Sequence, residues 1–78
     1  MIEHGVVLFY TTSSVMRAEK LLKTMDYTIK LIPTPRQFSS DCGISLRFDW
    51  NHREKVKSIL DESKVEFDTL RFLDEEVI

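Results

Sequence analysis

The chain has 78 residues, 42% hydrophobic and 31% charged, with a net charge of −2, which fits one small globular domain over residues 1–78 with no room for a second core. That charge excludes a general nucleic-acid binder, whose phosphate contacts need a basic surface. The single cysteine cannot form an internal disulfide, so nothing points to an oxidising compartment. The start, "MIEHG", is acidic where a secretion signal would be basic, and the apolar run after it is too short to span a bilayer. A cytoplasmic protein that does not enter the membrane is expected.

"GVVLFYT" is a continuous run of β-branched and aromatic residues, the pattern of a buried central strand. Thr11, Thr12, Ser13 and Ser14 follow and supply several candidate N-caps. In "VMRAEKLLKTMD" the residues Val15, Ala18, Leu22 and Met25 recur at helical spacing, with Leu21 beside them, and Glu19 stands four residues before Lys23. This predicts an amphipathic helix. "YTIKLI" alternates, with Tyr27, Ile29 and Leu31 on one side, and Pro33 ends that strand by removing a ladder donor.

After a loop, "ISLRF" alternates again, Ile44, Leu46 and Phe48 inward, Ser45 and Arg47 outward. "DWNHREKVKSILDES" predicts a second helix, with Asn51 as N-cap, Glu54 three residues on as a capping-box partner, and Val56, Ile59 and Leu60 as the buried stripe. "VEFDTLRFL" predicts a last strand whose apolar phase slips between Phe67 and Leu70, a sign of a bulge or a twisted edge. The end, "DEEVI", reads as an acidic tail.

The order β-α-β-β-α-β predicts an α+β, ferredoxin-like fold: a four-stranded antiparallel sheet of order 4-1-3-2, with two helices on one face and the polar face open. In that topology the third strand runs antiparallel beside the first. Cys42 and Gly43 then fall next to Tyr10 and Thr11, where the first helix begins.

The stretch "PTPRQFSSDCG" therefore decides the function. A cysteine in a polar loop is either an incidental thiol or one the loop exists to present. Ile32 and Thr34 each precede a proline and are held extended, so the loop is expected to be a stiff, exposed strut. Gly43 leaves room beside the sulfur for a partner's backbone. Thr12, Ser13, Ser39 and Ser40 are candidate donors to a thiolate, the nucleophilic form of cysteine. The helix N-terminus would add a favourable field. Arg36, the loop's one cation, is placed to stabilise a thiolate or to engage a partner's anion, whereas the adjacent Asp41 opposes it.

"AEKLLK" and "KLIPTPRQFSSDCGISLRF" resemble the small bacterial family of selenium/sulfur carrier protein-like domains, over nearly the whole chain. Its most specific part is "IPTPR" joined to "CG". The resemblance implies a βαββαβ domain whose cysteine, here Cys42, holds persulfide or perselenide sulfur or selenium for delivery. Arg36 matches the family's loop arginine, and Glu19 and Lys20 match its helix pair, candidates for docking a partner. Phe38 and Asp41 stand where the family pattern has an aliphatic residue and a serine. Donor and acceptor proteins, such as a cysteine desulfurase, are the expected partners of a monomer or weak homodimer.

No cofactor or metal is expected, because His4 and His52 lack ligand spacing and no cysteine–histidine pair shares an element. The chain reads as a carrier rather than an enzyme. Two other classes share the topology. An RNA-recognition motif would need aromatics on the open face of its third strand, where this chain has Ser45 and Arg47. A regulatory or protein-interaction module, with an incidental cysteine, remains the alternative.

Overall fold

In the computed structural model, which describes residues 2–74, the elements follow in the order β1 (His4–Leu8), α1 (Thr12–Thr24), β2 (Ile29–Pro33), β3 (Ile44–Asp49), a one-turn 3-10 helix at Trp50–His52, α2 (Arg53–Glu62) and β4 (Thr69–Leu73). The strands form one antiparallel sheet of order β2-β3-β1-β4, which counted from the other edge is β4-β1-β3-β2. With its two α-helices the chain is an α+β fold.

Both helices lie on the same face. Val15, Ala18 and Leu22 of α1 and Val56 and Leu60 of α2 join Val7, Leu46 and Phe48 of the sheet in one buried cluster. Thr11 caps α1 by accepting the Ser14 N–H at 3.2 Å. Each helix closes in the same way: the Tyr27 N–H reaches back to the Leu22 carbonyl and the Val65 N–H to that of Leu60. The residues just before them, Asp26 and Lys64, take positive φ. This six-to-one closure turns Tyr27 and Val65 into the core as the chain leaves each helix.

Three local expectations are corrected. Met25 does not extend the α1 stripe; as the C-cap it turns out of register and is 48% exposed. Asn51 is not the N-cap of a single long helix. Asp49 caps instead, its carboxylate accepting the Asn51 N–H at 3.0 Å, and the chain makes the 3-10 turn before α2 begins at Arg53. The phase slip near Phe67 is no bulge. It marks the start of β4 at Thr69, the preceding residues forming a connection anchored by the Asp68 N–H on the Leu8 carbonyl at 2.7 Å. Of the expected tail, residues 75–78 lie outside the described residues.

The fourth correction bears on function: the face opposite the helices is not an open polar surface. Val6 and Leu8 of β1 and Leu73 of β4 point there, and all three are buried. Ile32 and the loop residue Phe38 pack against them as a second, smaller cluster, with the Arg71 guanidinium over the Phe38 ring at 5.7 Å. Ser45, expected to face solvent, is fully buried, its hydroxyl 2.8 Å from that of Thr34. A central strand that is apolar on both sides needs a lid on each, and the β2–β3 loop supplies the second.

Gly5 meets a steric demand. Trp50, wedged between Phe48 and Phe72, lays its ring across β1 at this position. A Cβ on Gly5 would lie 2.8 Å from the ring's Cζ3 and 3.1 Å from the Arg71 carbonyl oxygen. Gly5→Ala should therefore lower stability by roughly 1–3 kcal/mol, the usual cost of overpacking, read from chemical denaturation. A loss within a few tenths would show that the Trp50 ring yields freely.

Candidate functional site

The β2–β3 loop is built in two halves. Its first half leaves β2 at Pro33 and turns at Pro35–Phe38, closed by the Phe38 N–H on the Pro35 carbonyl at 3.0 Å. Arg36 sits on the tip of this turn and is exposed, while Phe38 folds onto the helix-free face. The second half returns through Ser39, Ser40 and Asp41 to Cys42, just before β3.

Cys42 is held by its backbone on both sides. Its N–H donates to Ser40 Oγ at 3.2 Å, and the Ser40 hydroxyl donates in turn to the Phe9 carbonyl at 2.8 Å, tying the loop to the end of β1. Its carbonyl accepts from the Thr34 hydroxyl at 2.9 Å. With the Thr34 proton committed there, the buried Ser45 hydroxyl donates to Thr34 Oγ1. A backbone bond from Thr34 N–H to the Gly43 carbonyl at 3.0 Å completes the clamp.

The expected juxtaposition is present. Thr12, the first residue of α1, places its hydroxyl 3.9 Å from the Cys42 sulfur. Cys42 thus lies beside the start of the first helix and the end of the first strand. The expected exposure is not. Cys42 is 4% exposed and belongs to the main core cluster with Phe9 and Val15. The loop is no strut that holds sulfur outside the core. The reason is register: Cys42, Ile44, Leu46 and Phe48 alternate along one line, and that line faces the helices.

The remaining candidates divide accordingly. Ser40 shapes the site, but by latching the loop rather than by donating to sulfur. Ser13, Ser39 and Arg36 are exposed, and no hydrogen bond or ion pair among the described residues joins them to Cys42. A Cβ on Gly43 would meet nothing within 4 Å, so the chain is open at that point. Glu19 pairs with Lys23 at 3.3 Å on the surface of α1. Lys20 is exposed and borders a groove of about 350 Å3 together with Arg17 and Ser63. Sequence reasoning missed Thr34 and Ser45. The signal for Thr34 was its place between two prolines, which fixes its backbone beside β3.

Residues 4–70 match the family model described as "Putative Se/S carrier protein-like". The chain belongs to this family. No curated protein and no solved structure matches it. The matched span takes in the whole loop, Cys42 and the first helix. Among the described residues, no helix is long and apolar enough to cross a membrane, and no group of three or more His, Cys, Asp or Glu is arranged to hold a metal ion.

Next to the site, Tyr10 is exposed and its hydroxyl donates to an Asp68 carboxylate oxygen at 3.3 Å. The Asp68 charge is the main force holding the phenol above its ordinary value of 10.0, with Glu66 and Asp41 adding to it. An anion forming beside carboxylates is disfavoured. Asp68→Asn should bring the Tyr10 titration down toward that of a free tyrosine, read from near-ultraviolet absorbance. An unmoved titration would mean that Asp68 is not the cause.

Two backbone-to-loop bonds run through Ser40, each worth about 1 kcal/mol. Ser40→Ala should therefore raise the rate at which a disulfide reagent labels native Cys42, roughly ten- to thirtyfold. Arg36→Ala should leave that rate within about twofold, since the exposed pair energies open to it are small. Equal rates for wild type and Ser40→Ala would show that reagents reach the thiol without the loop opening.

Proposed function

We propose that this domain is a carrier that holds one sulfur or selenium atom on Cys42, as persulfide or perselenide, and shelters it beneath the β2–β3 loop until a partner opens that cover. The observation that carries this reading is the clamp. The chain's single cysteine is held through its N–H by Ser40 and through its carbonyl by Thr34, at the junction of the loop with β1 and α1. Membership of the Se/S carrier protein-like family supports the same assignment.

Loading needs no external oxidant. The Cys42 thiolate attacks the terminal sulfur of a donor's persulfide, a new S–S bond forms on Cys42, and the donor cysteine leaves as thiolate. Delivery is the same exchange run toward an acceptor's nucleophile, with Cys42 as the leaving thiolate. No second cysteine is present to discharge the load as an internal disulfide. The fold, which we class as ferredoxin-like, offers the shelter, and the donor and acceptor proteins supply the chemistry, so the domain carries rather than turns over. Such exchange suits a reducing cytoplasm. Arg36, exposed on the loop tip, is suited to a partner's anion, and Lys20 offers a second cation on α1.

One observation favours a different reading. At 4% exposure and inside the apolar cluster, Cys42 also behaves as a small core residue. On that view the domain is a regulatory or protein-interaction module and the thiol only packs.

The two are separated by mass spectrometry of the intact protein. Incubated with a cysteine desulfurase and cysteine, wild type should gain the mass of one sulfur atom, and a reductant should remove it. Cys42→Ala should fold, losing on the order of 1 kcal/mol for the vacated volume, and should gain nothing. The interaction module stands instead if wild type stays unmodified with several desulfurases supplied with cysteine or with selenocysteine, while Ser40→Ala, its thiol demonstrably reachable by a small reagent, stays unmodified as well.

A further inference from the structure

The helix-free face is only half covered. Phe38 closes the half above Val6, Leu8 and Leu73. At the other end, between the starts of β1 and β2 and the end of β3, lies a cleft of about 350 Å3. That volume falls within the range of small-molecule sites, roughly 300–1,000 Å3.

The sheet register gives the cleft its charge. Lys30 of β2 stands directly opposite Arg47 of β3, both pointing to the helix-free face. One strand further on, Val6 is flanked by Arg47 on one side and by Arg71 of β4 on the other. Three cations thus form a row across one face of a protein whose net charge is −2. Like charges directly opposite on neighbouring strands destabilise a sheet. A chain with more acids than bases had other residues to spend there. Arg47 engages another group of the protein, as does His4 beside it, which leaves the exposed Lys30 as the group a ligand would draw in first.

The rest of the lining is mixed in a consistent way. The exposed Ile2 and the half-buried Ile29 are its apolar side, while Phe48 borders it from within the helix-side core. His52, its ring held edge-on to Tyr27 with centroids 5.3 Å apart, borders the cleft. Among the described residues of the lining the one carboxylate, Asp49, already accepts the Asn51 N–H. Cations beside an apolar wall suit a ligand that is charged at one end and apolar at the other.

We propose that this cleft binds a small organic anion, a carboxylate or phosphate with an apolar body, with Lys30 and Arg47 on its charge and the Ile2 and Ile29 side on its body. The site is independent of Cys42, which lies at the opposite end of β3.

Backbone-amide NMR titration of the whole chain tests it, with phenyl phosphate and benzoate as probes and phenol as their neutral counterpart. Both anions should give saturable shifts confined to residues 28–30, 47–49 and 52 at millimolar concentration, and phenol should not. Lys30→Glu should weaken binding by at least about tenfold, the loss of one charge-assisted hydrogen bond. The same variant should be no less stable than wild type, because it replaces a like-charge cross-strand pair with an opposite one. Lys55→Glu, on the exposed side of α2, should bind as wild type does. The proposal is overturned if phenol matches the anions, if shifts fall elsewhere or do not saturate, or if Lys30→Glu binds unchanged.

Discussion

The two-residue alternation of β3 governs the site. Phe48, Leu46 and Ile44 face the helices, and continuing the same alternation past the end of the strand carries Cys42 inward with them. The loop before it cannot alter that without breaking the bonds that fix Cys42 at both backbone groups. Its other half is anchored just as firmly on the opposite face, where Phe38 closes over Val6 and Leu8. One loop thus serves both sides of the sheet: its aromatic covers the helix-free side, and its cysteine fills the end of the helix-side core.

A sheltered thiol suits a carrier's task better than a displayed one. Persulfides and perselenides exchange with any thiolate that reaches them, so a load in the open would be lost to small thiols before delivery. On the carrier reading, burial would keep it, and the cost of opening would decide what may take it. Releasing Cys42 breaks the bonds through Ser40 and Thr34, at about 1 kcal/mol per bond, and takes it out of the apolar cluster it shares with Phe9 and Val15. On the carrier reading, a docked protein partner would supply that, whereas a small thiol has to wait for the loop to open by itself. On that reading, the open space beside Gly43 is where a partner's chain would have least to displace.

The helix-free face divides into a closed half and a charged cleft because β1 is apolar on both sides. Burying Val6 and Leu8 consumed Phe38 and drew the loop over that half. The other half kept Lys30 opposite Arg47, an arrangement that the free sheet does not favour. The two ends of β3 therefore present different groups, a thiol just before its start and cations toward its end.

The amino-acid sequence alone determined the elements, their order and most of the core. The apolar run of β1, the helical spacing of Val15, Ala18 and Leu22, and the alternation of β3 are local periodicities that survive into the structure because burial rewards them. It also carried the family, through "IPTPR" and "CG", and placed Cys42 beside Thr12. What it did not settle were matters that depend on residues distant in the chain. Asp49 displaced Asn51 as cap because Trp50 is pinned at once by Glu3, Phe48 and Phe72, which forces the extra turn. Cys42 looked exposed because its sequence neighbours are polar, yet its depth is set by the register of β3 against β1. That register was legible one step back from Ile44; the Ser40–Phe9 latch, which joins residues 31 apart, was not. Local pattern fixes which side of a strand a residue faces, and only the closing of the loop over the sheet decides whether that side meets water.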